Sequence, residues 1–251
     1  MKNKTITAQE NFDRFMYRMV IRRRIIILLL SVASILLYFV HIRLPLVPRI
    51  FSIEFSEFPE LLLTFTYGPF YGVAVCVIKN VIHSVIMGNT VIPDVANLIS
   101  ETVFLLVAGL CSSRLSDAAA VKYKGRLTKS KRVKNKTLAS LTAILAHSVV
   151  QFAVTNVFLY PMLAGNYPEA YSKAALLYNY NIVTGNLRTY LPEALASLVP
   201  NINSTLVGVL LVNIPITVFK LVIISAFTLL IYYLIIPLFF KKKPPLNPEL
   251  Q

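Results

Sequence analysis

The chain is 251 residues long, 56% hydrophobic and only 14% charged, with a formal net charge of +14 and no tryptophan. Apolar side chains in that proportion, gathered into long blocks, exclude an ordinary soluble domain and indicate helices that face lipid. The positive charge sits in three clusters flanking apolar blocks rather than along a groove, which points to a membrane surface and not to nucleic acid as the partner.

Residues 1–24 are polar and basic and end in Arg22-Arg23-Arg24, a cytoplasmic amino-terminal segment with no pattern of a removable signal peptide. Ile25 to Val40 is almost unbroken hydrocarbon and forms the first spanning helix. Its sixteen residues rise only about 24 Å, so the arginines must snorkel to complete the crossing. The stretch His41 to Phe58 holds Pro45, Pro48, Glu54 and Glu57, with Pro59 just after it, and reads as an ordered or lid-like loop. Leu61 to Met87 has the length of one helix, but Gly68-Pro69, with Gly72 close behind, predicts a break.

Charge settles the number of crossings. Lys122, Lys124, Arg126, Lys129, Lys131, Arg132, Lys134 and Lys136 form a basic loop, which the positive-inside rule places on the side of the basic amino terminus. An even number of crossings must then separate the two. A tight turn at Gly68-Pro69 gives them as roughly 25–41, 58–68, 70–87 and 94–113, and blocks 138–162 and 205–239 return the chain to Lys241-Lys242-Lys243. The expected fold is an all-α integral membrane protein, a six-transmembrane-helix bundle with both termini cytoplasmic. Its membrane domain is 25–240, followed by a basic tail at 241–251. The second helix is too short to span alone and must be shielded by its neighbours. Residues 163–204 face the opposite side, with a short helix expected at Ala170 to Leu177 as part of a cover.

Polar residues at membrane depth are costly, on the order of 2.5–3.5 kcal/mol for a lysine or aspartate, and so direct attention to function. Lys79, Asn80 and His83 cluster on the third helix; Asp94, Asn97 and Glu101 recur at three and four on the fourth. The fifth carries His147, Gln151 and Thr155, and the sixth Asn213, Thr217 and Lys220. Any one stripe could serve only interhelical hydrogen bonding. Four together, with two lysines, predict a lined cavity. Asp94 follows Pro93 and reads first as a helix cap. His83 and His147 lack a third ligand at useful spacing, Cys76 and Cys111 have no metal-ligand or disulfide pattern, and no catalytic or Walker A motif is present. No metal, no cofactor and no enzymatic activity are expected.

The stretch Phe51-Ser-Ile-Glu-Phe-Ser-Glu-Phe-Pro59, then Tyr67-Gly-Pro-Phe-Tyr-Gly72 and Lys79-Asn80-Val-Ile-His83, resembles the substrate-binding S component of an energy-coupling factor (ECF) transporter, and the riboflavin-specific members most. Ala96-Asn97-Leu98, Thr155-Asn156-Val-Phe-Leu-Tyr-Pro161 and Pro215-Ile-Thr-Val-Phe-Lys220 continue the likeness, which covers roughly residues 25–240. The resemblance implies a subunit of the bacterial cell membrane that captures a vitamin, riboflavin or a related flavin, from outside. It would hand the ligand to a module of one transmembrane scaffold subunit and two ATPase subunits. By position, Asn156 and Lys220 correspond to family residues that hydrogen-bond the flavin ring, and the loop before the second helix, which includes Glu57, supplies further contacts. Lys79, Asn80 and Asn97 complete the expected substrate-binding set. Three residues before Lys220, where similar riboflavin binders place an asparagine, stands Thr217, with one hydroxyl in place of an amide. The small residues by which the family docks its scaffold appear on the first helix as Ser31, Ala33 and Ser34.

Three other readings compete: an S component for a different vitamin or small molecule; a self-sufficient secondary transporter, which would more often show internal repeats and broken helices in both halves; and a membrane scaffold, which needs no polar cavity.

Overall fold

A computed structural model describes residues 2–40, 42–43, 52–88, 91–122 and 128–234. Lys124, Arg126 and the 241–251 tail, expected to be basic cytoplasmic elements, lie outside the described residues, as does much of the predicted 41–58 loop.

Among the described residues the regular structure is helical apart from a two-residue antiparallel pairing of β1 (Ile42–Arg43) with β2 (Ser52–Ile53). The first helix, α1, runs unbroken from Lys2 to Tyr38, so the basic segment before Ile25 is part of the same helix instead of preceding it. Among the described residues four stretches are long and apolar enough to cross a membrane: Pro69–Met87, Val91–Val121, Ser130–Asn166 and Thr205–Leu234. Their outward faces are greasy at helical spacing. Leu138, Leu141, Leu145 and Val149 lie exposed along one side of a single helix, as do Phe219, Val222, Ile223 and Phe227 along another. In water this would be a liability; in lipid it is the ordinary surface.

The central element is α2 (Glu57–Tyr67), eleven residues that rise only about 16 Å. It packs against α1, α3 (Pro69–Met87), α4 (Val91–Lys122) and α11 (Ile214–Leu234), and its residues 59–65 are all buried. A helix that is apolar around most of its circumference must be surrounded. That is how a helix too short to span is accommodated. Leu61, Phe65, Cys76, Phe104, Leu105, Ala108, Ala143, Ile144, Leu221 and Ile224 form the core around it.

Between α2 and α3 the chain reverses at Gly68, whose φ of 108° is open to glycine and strained for other residues, and Pro69 starts the next helix where its missing N–H is harmless. Just beyond, Gly72 lets the two helices touch. A Cβ there would lie 2.8 Å from the Glu60 carbonyl oxygen and collide with Thr64 Oγ1. Arg23 of α1 closes this end, hydrogen-bonding Tyr71 and lying over its ring and that of Tyr67.

The predicted basic loop is mostly helix. α4 reaches Lys122 and α5 (Lys129–Val154) begins seven residues on. Lys136 is not a loop residue but a buried one, 9% exposed, donating to Phe65 O and Ser112 Oγ at 3.2 Å each, with its ammonium 4.5 Å from the ring centres of Phe65 and Tyr232.

α5 passes through a π-helical turn at Thr155–Leu159 into α6 (Tyr160–Asn166), and a second π turn, Val209–Asn213, joins α10 (Thr205–Gly208) to α11. Each ends just before a proline, Pro161 or Pro215, which lacks an N–H and crowds the carbonyl a turn earlier, so the ladder widens by one residue.

Instead of the short helix predicted within 163–204, α7 (Pro168–Tyr171) leads into an eighteen-residue α8 (Lys173–Tyr190), followed by α9 (Glu193–Ala196). α8 buries Leu176, Tyr180 and Thr184 at four-residue spacing against Gly208 and Tyr160, and its Asn181 and Arg188 hold the backbone of Ile202 and Val199.

Candidate functional site

Two lysines organise the buried polar side chains at the end of the bundle where α2 begins. Lys79 of α3 is fully buried and places its Nζ 3.0 Å from Glu60 Oε1, 2.9 Å from Glu101 Oε2 and 2.7 Å from Ser56 Oγ, with the Tyr38 ring centre 4.7 Å away. Lys220 of α11 pairs with Glu54 at 3.3 Å and with Glu57. Residues 54, 57 and 60 recur at three, so entry into α2 turns all three carboxylates towards these cations. Burying a charge is tolerable only when it is paired and hydrogen-bonded, and here each lysine has two carboxylates.

A second cluster lies alongside. Asp94 accepts from Tyr38 Oη at 2.8 Å and Ser84 Oγ at 2.6 Å and lies 2.9 Å from His83 Nδ1. Asp94 sits inside the first turn of α4 and ties α1, α3 and α4 together, a role other than the cap predicted for it. Asn80 donates to Glu101 at 3.2 Å and to Cys76 O at 2.9 Å, and Asn97 donates to Tyr38 Oη at 3.0 Å.

Next to Lys220 opens a cleft of about 400 Å³, part of it open to solvent. Glu57, Asn97, Glu101, His147, Gln151, Thr217 and Lys220 supply its polar lining, with Ala96, Ser100, Val154, Thr155 and Leu159. Four polar stripes predicted from sequence thus contribute unequally. Those of α4, α5 and α11 meet at the cleft, whereas Lys79 and Asn80 of α3 stand behind it, orienting Glu101.

Of the predicted site residues, Glu57, Asn97, Thr217 and Lys220 line the cleft, with Gln151 Nε2 donating to Thr217 Oγ1 at 3.0 Å. Asn156 lies in the π turn between the lining residues Thr155 and Leu159, its amide donating to Phe152 O at 2.8 Å, but it is not itself among the lining residues. Glu101, part of the polar stripe predicted on the fourth helix, lines the cleft although it is outside the expected substrate-binding set; Glu54 and Glu60 are missed, and their signal is the spacing of three along 54, 57 and 60.

Carboxylates of Glu54, Glu57 and Glu101, and those of Glu60 and Glu101 with the Cys76 thiol, converge closely enough to resemble metal sites. Each set already holds an ammonium group, Lys220 against Glu54 and Glu57 and Lys79 against Glu60 and Glu101.

A cleft lined mainly by polar side chains, with Ala96, Val154 and Leu159 as its apolar contacts and set inside a lipid-facing bundle, is suited to capturing a small ligand rich in hydrogen-bonding groups. The chain matches the family "ECF transporter, substrate-specific component" over residues 22–244. It belongs to that family. S components are membrane proteins that bind the substrate of a transporter, and the four apolar spans agree with this. The riboflavin transporter RibU of Staphylococcus aureus (strain TCH60) is 28% identical over 163 residues, 64% of this chain and 76% of that protein. The riboflavin transporter FmnP of Bacillus subtilis (strain 168) is 30% identical over 103 residues, 40% of this chain and about half, 54%, of that protein. A solved S component of a bacterial ECF transporter superposes with a TM-score of 0.56 over 87% of this S component and 98% of that chain, at 20% identity, which establishes a shared fold.

Proposed function

We propose that this S component captures riboflavin or a closely related flavin and delivers it to an ECF module of one transmembrane scaffold subunit and two ATPase subunits. The observation that carries the reading is the cleft itself: Lys220, Thr217, Gln151 and Asn97 present hydrogen-bonding groups around it, and Val154, Leu159 and Ala96 add apolar contact. A flat ring with polar edges needs that combination. Two relatives named as riboflavin transporters support the choice of ligand.

Six crossings are counted as α1, α2, α3, α4, α5 with α6, and α11, with the amino terminus and the α4–α5 connection on the cytoplasmic side. The cleft then opens near the outer face, under α8. Asn156 joins the site when a ligand fills the space beside the first π turn, and Lys79 and Asn80 act by holding Glu101.

Titration of riboflavin into purified, ligand-stripped protein, followed by quenching of flavin fluorescence, tests the ligand. Saturable one-site quenching is expected; absence of binding overturns the flavin reading. Riboflavin uptake by cells that express the chain is expected only when an ECF ATPase module is co-expressed. Uptake without it would favour a self-sufficient secondary transporter.

A further inference from the structure

α8 has two largely apolar faces. Leu176, Tyr180 and Thr184 are buried against the bundle, whereas Ala174, Tyr178 and Ile182, also four apart, lie on the opposite side of the helix. A helix apolar on both sides needs an apolar neighbour on both. Tyr178 is nevertheless 69% exposed, so no described element supplies the second neighbour. The connection that follows leaves Tyr190, Leu195 and Leu198 exposed as well.

Depth and charge identify that neighbour. The Tyr180 hydroxyl meets that of Tyr160, and its ring fills the space beside Gly208, so the middle of α8 is level with both. Tyr160 stands twenty-four residues, roughly 36 Å of helix, beyond Lys136 at the basic end of the same span. A hydrocarbon core is about 30 Å thick, and about 40–45 Å with its headgroup layers, which puts α8 among the headgroups. Around its seat the exposed Val157, Met162, Leu206 and Leu210 continue the lipid face of the spans. Between 163 and 204, Lys173 and Arg188 balance Glu169 and Glu193. Tyrosine, with an apolar ring and a polar tip, favours the boundary between lipid and water, and a segment of zero net charge gains nothing from anionic headgroups.

Resting on the membrane spans and not on the flavin reading, we infer that α8 and the α9 turn form an interfacial arm. Its outer face lies in the headgroup and upper acyl layer of one leaflet, the outer one in the proposed topology, without preference for lipid charge. Lipid then holds the arm from one side and the bundle from the other.

The chain has no tryptophan, so Tyr178→Trp, Tyr190→Trp and Leu198→Trp each carry a single emitter. Variants that melt like the parent are placed in nanodiscs of phosphatidylcholine, with and without phosphatidylglycerol, whose acyl chains carry bromine either near the headgroup or near the chain end. Bromine near the headgroup is expected to quench at least about twofold, more than bromine at the chain end and equally in both mixtures, and acrylamide is expected to quench at least about threefold less than it does free tryptophan. Tryptophans insensitive to bromine overturn the inference: those open to acrylamide face water, and those closed to it are covered by protein, a second copy of the chain included. Stronger quenching from the chain end, or quenching that grows with phosphatidylglycerol, overturns it too. Hydroxyl-radical labelling of the unmodified protein in nanodiscs needs no variant. Tyr178 and Tyr17 are both 69% exposed on the protein alone, and Tyr178 is expected to be labelled at least about fivefold less than Tyr17, which lies on the basic end of α1. Equal labelling of the two overturns the inference, and none of these outcomes bears on whether riboflavin binds.

Discussion

Lys79 Nζ lies 2.9 Å from Glu101 Oε2 across the α3–α4 interface, and neither side chain reaches solvent by more than 3%. Such a pair adds little net stability against an apolar substitute of the same shape, but removing one partner strands a charge in a dry interior. Lys79→Met leaves both Glu60 and Glu101 without their cation, and a loss of about 3–5 kcal/mol is expected. Thermal unfolding in detergent reads it. Adding Glu101→Gln to Lys79→Met should recover part of the loss; a Lys79→Met protein as stable as the parent would show that Lys79 does not balance these carboxylates.

Lys220 and Asn156 separate affinity from stability. Lys220 supports Glu54 and Glu57 as well as lining the cleft, so Lys220→Met should lower both the melting temperature and riboflavin affinity. Asn156 donates to Phe152 O on its own helix, a bond of small net worth. Asn156→Ala should shift stability by no more than about 0.5 kcal/mol while weakening riboflavin roughly tenfold. Paired melting and binding curves on the two variants check this. Unchanged affinity in both would remove them from the site.

Much of the fold is legible in the amino-acid sequence because lipid makes the rules of patterning strict. The Gly68-Pro69 break lies where the glycine and proline predict it, and a second helix too short to span is sheltered among its neighbours. The length of α8 is harder to read because Asn179, Asn181, Thr184 and Gly185 are weak helix formers, although Leu176, Tyr180 and Thr184 at four-residue spacing mark its buried face. Lys136 escapes charge counting, which treats every lysine in a basic run alike. Nothing local separates the one that turns inward beneath Phe65 and Tyr232. The site's acidic half is obscured for a related reason: the pairing of Lys220 with Glu54 joins residues far apart in sequence, and only the fold places them together.

Lys136 carries a buried ammonium that is held by Phe65 O, Ser112 Oγ and two aromatic rings, with no carboxylate in ion-pair contact among the described residues. Cation–π and hydrogen-bond contacts compensate part of the desolvation, and an apolar chain of similar length forfeits both gain and cost. Lys136→Met should leave stability within about 1 kcal/mol of the parent, whereas Lys136→Glu, which sets an anion against the Phe65 carbonyl and two ring faces, should cost about 3 kcal/mol or more. Equal melting temperatures for the two variants would mean that the side chain reaches water.

Gly72 fixes how closely α3 approaches α2, and through it the position of the acidic residues at the site. An added Cβ would meet Thr64 Oγ1 and come 2.8 Å from the Glu60 carbonyl oxygen. Thr64 is 3% exposed and packed in the central helix, and the carbonyl belongs to backbone, so neither can withdraw without moving α2. Gly72→Ala is therefore expected to destabilise the bundle by about 1–3 kcal/mol, the usual range for overpacking. Thr64 Oγ1 has no hydrogen-bond partner among the described residues, so Thr64→Ala alone should be mild. In combination with Gly72→Ala it removes the side-chain collision but not the one with Glu60 O, and should restore only part of the stability. The same displacement shifts the Glu57–Glu60 turn that meets Lys220 and Lys79, so riboflavin affinity should fall in Gly72→Ala beyond what unfolding explains. Melting curves and titrations on the two single variants and the double variant measure both effects; a Gly72→Ala protein that melts and binds like the parent would mean the helices are not in contact at this point.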